Sequence, residues 1–364
     1  MSVELTASNA SQVAAALLQE RRKAGSPAMG MVLTLVVVVS EEGLYDAFKA
    51  AKAVAREHPA RILCVVRRSG RGASNLDAEV RVGEGNGGGE SVILRMSGEL
   101  VGHADSVVLP LLLPDSPVVV WWPDKPPDDV ANDALGRLAT RRVTDAAAIE
   151  RGRQAAIMRQ AQLYQPGNTD LSWTRLTPWR ALLAAALDQY PAKVTGGSVS
   201  AARSNPSADL LAAWLCHRLG VGIERKSSKG PGVTSVRLAT PGGDVEISRP
   251  DGRLATFSIP NAPPRPVALK RREIPELLAE ELRRLDPDDV YADVARSLCL
   301  LAGVTPVPRR EEAADPNATM PPTPTRKPPR RTLPKKAQAS KATKKTTQKT
   351  AKKASGSRAR SGRS

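Results

Sequence analysis

The chain has 364 residues, of which 41% are hydrophobic, 25% charged and only 3% aromatic. That length suits about two domains of ordinary size, and the scarcity of aromatics leaves Ala, Val and Leu to build the core. The net charge of +17 is concentrated at one end: residues 301–364 hold 17 Lys and Arg against 3 Asp and Glu, whereas residues 1–300 hold 37 against 34. A nearly neutral body argues against a nucleic-acid-binding globule, whose basic stripe would lie on the fold itself. The cysteines (Cys64, Cys216, Cys299) and histidines (His58, His103, His217) show no metal-ligand spacing. No metal and no cofactor are expected, and isolated cysteines fit a reducing cytoplasm.

In chain order, Ala10, Val13, Ala14, Leu17 and Leu18 make one apolar stripe, so 8–23 reads as a helix that Gly25 ends. The run Ala28–Val39 is too short to span a bilayer, which takes about 20 residues. Its β-branched content fits a strand at 30–39 that is buried on both faces. With a helix over 43–57 and a second apolar strand over 61–67, it forms a βαβ unit and hence a parallel sheet. Residues 75–82 and 91–97 read as a hairpin, joined by a Gly-rich loop at Gly83–Gly89. A short helix near 100–109 leads to a strand at 117–123. The Pro- and Asp-rich stretch 123–133 is a surface loop.

The middle section, 134–190, holds one clear helix, opened by Thr177-Pro178. Beyond it come a strand over 193–201 and a helix that starts at Asn205-Pro206 and closes at Gly220. Strands at 233–239, 244–248, 254–259 and 267–271 follow as an antiparallel meander. A helix over 275–285 precedes a last one capped by Asp286-Pro287-Asp288-Asp289. Residues 321–364 contain one large apolar side chain, Leu333, too little to offset chain entropy. The expected fold is therefore α/β. A parallel or mixed sheet domain with covering helices spans 1–190, an α+β domain with an antiparallel meander spans 191–303, and a disordered tail spans 304–364.

Catalytic signatures are scarce. Gly83-Glu84-Gly85-Asn86-Gly87-Gly88 spells G-x-G-x-x-G, but a strand and not a helix follows it, so the stretch reads as a hairpin tip. Four of the five tryptophans, Trp121, Trp122, Trp173 and Trp179, fall within 121–179 among Pro, Asp and Arg. With Arg141, Arg142, Arg175 and Arg180 they are the candidate partner-binding residues, because Trp and Arg concentrate at protein–protein hot spots. The alternatives are that the rings fill the core, or that they form a sugar-binding platform. In the tail, Lys-Lys pairs at 335–336, 344–345 and 352–353 suit a non-specific polyanion contact through 321–364. That leaves a nucleic-acid-associated protein acting through its basic tail as the alternative function.

Several long strings resemble the actinobacterial OpcA family, the glucose-6-phosphate dehydrogenase assembly proteins. They are Ala24–Leu35, Arg56–Leu63, Val107–Asp115 with Pro117–Pro123, Arg141–Asp145 and Trp173–Arg180. The resemblance covers roughly residues 1–302 and leaves out the tail. It implies a cytoplasmic, non-catalytic regulator that binds glucose-6-phosphate dehydrogenase, promotes its active oligomer and raises its activity in the oxidative pentose phosphate pathway. No membrane association is implied.

Overall fold

The computed structural model describes residues 2–25, 30–68, 73–83 and 89–308. Its first sheet has eight strands. An edge strand, β1 (Ser2–Leu5), precedes helix α1 (Ala10–Ala24), and the parallel core then begins with β2 (Leu33–Val39), α2 (Leu44–Val54) and β3 (Ala60–Arg67). The hairpin β4 (Asn75–Val82) and β5 (Glu90–Ser97) is followed by a short helix, α3 (Ala104–Val108), and by β6 (Val118–Trp121). Two strands that sequence patterning does not reveal, β7 (Arg141–Thr144) and β8 (Asn168–Asp170), complete the spatial order β1-β4-β5-β3-β2-β6-β7-β8. From β5 through β8 all neighbours are parallel, and β4 pairs antiparallel with both β1 and β5.

Alternation along β2 sends its side chains to two cores. Val36 and Val38 join Val13 and Leu17 of α1, whereas Leu33, Leu35, Val37 and Val39 join Leu44, Ala47, Ala51 and Val54 of α2. Burial on both faces explains the uninterrupted apolar run. α1 ends as its sequence indicates, with Gly25 in the left-handed conformation; it starts later than residue 8, at Ala10, where the Asn9 side chain accepts from the Gln12 amide. Of the Gly-rich loop, residues 84–88 lie outside the described residues.

The second half begins inside the middle section. Helix α4 (Arg153–Gln162) precedes β8, and the short α5 (Leu171–Thr174) and longer α6 (Thr177–Gln189) follow it. Next come β9 (Gly196–Ala201), α7 (Pro206–Leu219), β10 (Ile223–Ser227), β11 (Val233–Thr240), β12 (Gly243–Ser248), β13 (Leu254–Ser258) and β14 (Arg265–Ala268). These strands form one sheet, ordered β10-β9-β11-β12-β13-β14. It is antiparallel except for β10, which pairs parallel with β9. Its buried face packs on α6 and α7 and on the last helix, α9 (Asp289–Leu301).

One helix breaks this order. α8 (Ile274–Arg283) follows the second sheet but places Leu277, Leu278 and Leu282 in the core shared by β2 and α2 of the first. The two sheets are thereby tied together within one compact unit, and Met1–Pro316 cluster as one body. The start of the expected tail also packs back. Val304 lies against the second core, and the Val307 amide donates to the Gln162 carbonyl at 2.9 Å. Residues 309–364 lie outside the described residues.

Close backbone contact explains one glycine. A Cβ on Gly136 would sit 1.7 Å from the Val130 carbonyl oxygen, where nothing can yield except the backbone. We expect Gly136→Ala to lower unfolding free energy by about 3 kcal/mol, as for severe overpacking, read as a shifted urea midpoint.

Candidate functional site

Arg141, Trp173, Arg175, Trp179 and Arg180 gather around β7, α5 and α6, whereas Trp121, Trp122 and Arg142 lie elsewhere in and around the first sheet. Adjacent Trp121 and Trp122 point to opposite faces of the first sheet, as a strand requires. Both faces are covered: Trp121 lies in the core under α2 and α8, and Trp122 in the core under α1. Trp173 and Trp179 belong to the second core, and all four indoles are at most 2% exposed. The rings themselves are therefore part of the packed interior. What reaches the surface is the edge of the arginine layer around them.

That layer is built on fixed carboxylates. Arg141, from β7, is buried and donates through Nη2 to Glu281 of α8 at 2.5 Å, with Nη1 donating to the Asp286 carbonyl at 2.8 Å. The other Glu281 oxygen accepts from the Thr174 hydroxyl at 2.5 Å. Arg142 points the other way and binds Asn168 together with the carbonyls of Ala139 and Pro166, so it pins the loops around β8. Neither arginine presents a free guanidinium to a ligand.

Asp170 ends β8 and caps α5, accepting from the Ser172 amide at 2.8 Å. Next to it, Asp145 accepts two hydrogen bonds from Arg175, each 2.7 Å long. Such a bidentate pair holds a guanidinium in one orientation. Burial opposes the charge on Arg175, but the Asp145 carboxylate holds its pKa above the usual value.

Trp173 donates through Nε1 to Asp288 at 2.9 Å, and Asp288 in turn caps α9 through the Tyr291 amide. Arg180 lies over the Trp173 ring at 3.7 Å from its centroid, a cation–π contact. Arg272, just before α8, bonds both Glu280 and the Thr174 carbonyl. A seam of Arg, Trp and carboxylates thus runs from β7 to α8 and α9. Its outer side opens at Arg175 and Trp179 into a cavity of about 320 Å³.

Asp288 was legible as a cap, but its bond to Trp173 was not. Glu281, Arg249 and Arg272 carried no local signal, since their partners lie far away in sequence. Lys270 and Arg271 read as the end of a strand over 267–271. β14 in fact stops at Ala268, and these residues wall the cavity instead. β14 ends where its partner β13 begins, at Leu254. Beyond it the Leu269 and Arg271 amides bond the turn carbonyls of Arg253 and Gly252, while Arg249 takes the Leu269 carbonyl at 2.8 Å.

The cysteines are separate as well. Cys64 lies in the first sheet's core, Cys299 in the second core, and Cys216 is half-buried on α7. Burial pushes the Cys64 thiol up to about 12. Among the described residues, no group of three His, Cys, Asp or Glu is placed to hold a metal ion, and no helix is long and apolar enough to cross a membrane.

Glu281→Ala is expected to destabilise the fold by about 3–5 kcal/mol by leaving the Arg141 charge buried and unpaired. Replacing both partners with Arg141→Met and Glu281→Leu should recover most of that loss in the same urea titration. Thiol labelling of the native chain should modify Cys216 quickly, and Cys64 and Cys299 only at the rate of opening.

Comparison with known proteins adds an independent finding. Residues 51–162 match the family described as glucose-6-phosphate dehydrogenase subunit N-terminal domain, and residues 166–295 match the corresponding C-terminal domain. No curated protein matches the chain. Among solved structures, it is similar to an oxidoreductase from Sinorhizobium meliloti at 9% identity, covering 75% of this chain and 96% of that one, with a TM-score of 0.41. It is also similar to a biliverdin reductase from Synechocystis, solved with biliverdin and NADP+. That match has 9% identity, covers 75% of this chain and 99% of the other, and has a TM-score of 0.38.

Proposed function

This chain belongs to the OpcA family of glucose-6-phosphate dehydrogenase subunits, and from that premise we propose that it is a non-catalytic partner that binds glucose-6-phosphate dehydrogenase, favours its active oligomer and raises its activity. The observation that carries this reading is the pair of family matches, which follow one another in order across both sheets of the body. A cytoplasmic location, in the compartment of the oxidative pentose phosphate pathway, is part of the same proposal. The lysine-rich stretch 321–364 lies outside both matches.

Energetics restrict how such a partner works. It must bind the active state of the enzyme more tightly than the inactive state, since equal affinity shifts no population. A rigid surface does this best, because little ordering entropy is lost on docking. The buried tryptophans contribute rigidity. Trp173 and Trp179 hold the start of α6, and Arg180 is held over Trp173. We place the contact on this arginine edge, at Arg175 and Arg180, with Trp173, Trp179 and Arg141 behind it; Trp121, Trp122 and Arg142 serve the first sheet and the loops around β8 instead.

Purified chain mixed with its organism's glucose-6-phosphate dehydrogenase should form a complex of larger mass and increase the rate at subsaturating substrate. The chain alone should show no turnover. Arg180→Ala should weaken the complex about tenfold while the thermal midpoint moves by only a few degrees. An enzyme indifferent to the wild-type chain in both mass and rate overturns the reading.

A further inference from the structure

The cavity beside the arginine seam has an unusual charge balance. Its wall carries Arg153, Arg175, Arg249, Lys270, Arg271 and Arg272, and no Asp or Glu. Three of the six cations are balanced by carboxylates outside the wall: Arg175 by Asp145, Arg272 by Glu280 and Lys270 by Glu276. Among the described residues, the other three, Arg153, Arg249 and Arg271, make no ion pair. Arg153 donates to the Ile149 carbonyl only, and Arg271 is exposed at the rim.

Arg249 is the informative member. It is 5% exposed, yet its charge is met only by the neutral carbonyls of Leu269 and Val233, and its Nε has no hydrogen-bond partner. Burial, with Arg271 close by, lowers its pKa to about 10, against the weaker pull of Asp251. A guanidinium buried in this way is expensive unless something negative arrives. The guanidinium also lies over Trp179, 4.9 Å from the ring centroid.

The start of α7 forms another part of the wall, through Asn205, Pro206 and Ser207. Pro206 has no N–H, and the Ala208 amide is taken by the Asn205 side chain, so the Ser207 amide and the positive end of the helix dipole are what this start offers an anion. Apolar side chains line the cavity as well, Leu176, Pro178 and Trp179 among them. Cations and a helix start together with apolar carbon suit a ligand with an anionic head and a small organic body. A volume of about 320 Å³ admits a group of hexose size. It does not admit a nucleic-acid strand, which needs an open basic track.

We propose that this cavity binds a small phosphomonoester, its phosphate facing Arg249, Arg271 and the start of α7 and its carbon skeleton lying against Pro178. No bond is made or broken. The phosphate supplies the negative charge that Arg153, Arg249 and Arg271 lack.

The test is calorimetric titration of the full-length chain, without the dehydrogenase, at low ionic strength. Glucose 6-phosphate serves as the hexose phosphomonoester, with inorganic phosphate, sulfate and glucose as comparators. The expected result is saturable one-to-one binding of glucose 6-phosphate, at least tenfold tighter than inorganic phosphate or sulfate, with no heat from glucose. Arg271→Ala, at the exposed rim, should weaken it about tenfold with an unchanged thermal midpoint. Arg249→Met should abolish it, and a rise in midpoint on adding glucose 6-phosphate should disappear with it. Absence of saturable binding, binding insensitive to Arg271→Ala, or equal affinity for sulfate overturns the proposal. Contacts to the basic tail would give that insensitive pattern. Because the enzyme is absent from the cell, the result is independent of the partnership assay.

Discussion

One buried ion pair, Arg141 with Glu281, joins the two halves of the molecule. Arg141 belongs to the first sheet and Glu281 to a helix that the chain reaches only after completing the second sheet. Two opposite charges brought out of water are favourable only if geometry and further hydrogen bonds offset their desolvation. Here they do: Glu281 also accepts from Thr174, and Arg141 also donates to the Asp286 carbonyl. The pair sets the position of α8 over the first sheet, so that Leu277, Leu278 and Leu282 meet the core of β2 and α2. Hydrophobic burial supplies most of the stabilisation. The ion pair supplies the register, since apolar side chains alone tolerate sliding.

This arrangement explains what could be read from the chain and what could not. Local signals were reliable where the physics is local. Asn9, Asn205 and Asp288 cap the helices they precede, and the apolar runs at β2 and β3 pair in parallel. β7, β8 and β10 were invisible because they are short and carry polar residues: Asn168-Thr169-Asp170 is buried although polar, with Asn168 accepting from Arg142 and Asp170 from Thr144. β1 is only four residues long and depends on its pairing with β4.

The tryptophans show the same distinction. Their flanking Pro, Asp and Arg resemble surface composition, yet all four rings are buried, and the Trp173 indole N–H finds its partner far away in sequence. Asp288 accepts from the Trp173 indole, and Arg180 covers its face. Burial at position 173 is decided by residues more than a hundred positions later, beyond the range of any local pattern. Asp145 and Asp170 likewise sit in an unremarkable sequence and become the anchors of α5 and Arg175 only once β7 and β8 lie side by side.

Charge balance gives a last distinction between framework and surface. A body with 37 basic and 34 acidic residues could pair almost every charge, and along the seam it does so at Arg141, Arg175 and Arg272. Against those pairs, a buried arginine that bonds two carbonyls, lies over Trp179 and makes no ion pair stands out. Packing does not require it at position 249: an apolar side chain of similar length could cover Trp179 without the desolvation of a guanidinium. One of the two carbonyls it holds, that of Leu269, immediately precedes Lys270 and Arg271 in the cavity wall. Arg249 therefore introduces an uncompensated charge with further cations beside it. That combination destabilises an empty cavity and stabilises one filled by an anion, so selection for stability alone would tend to remove it.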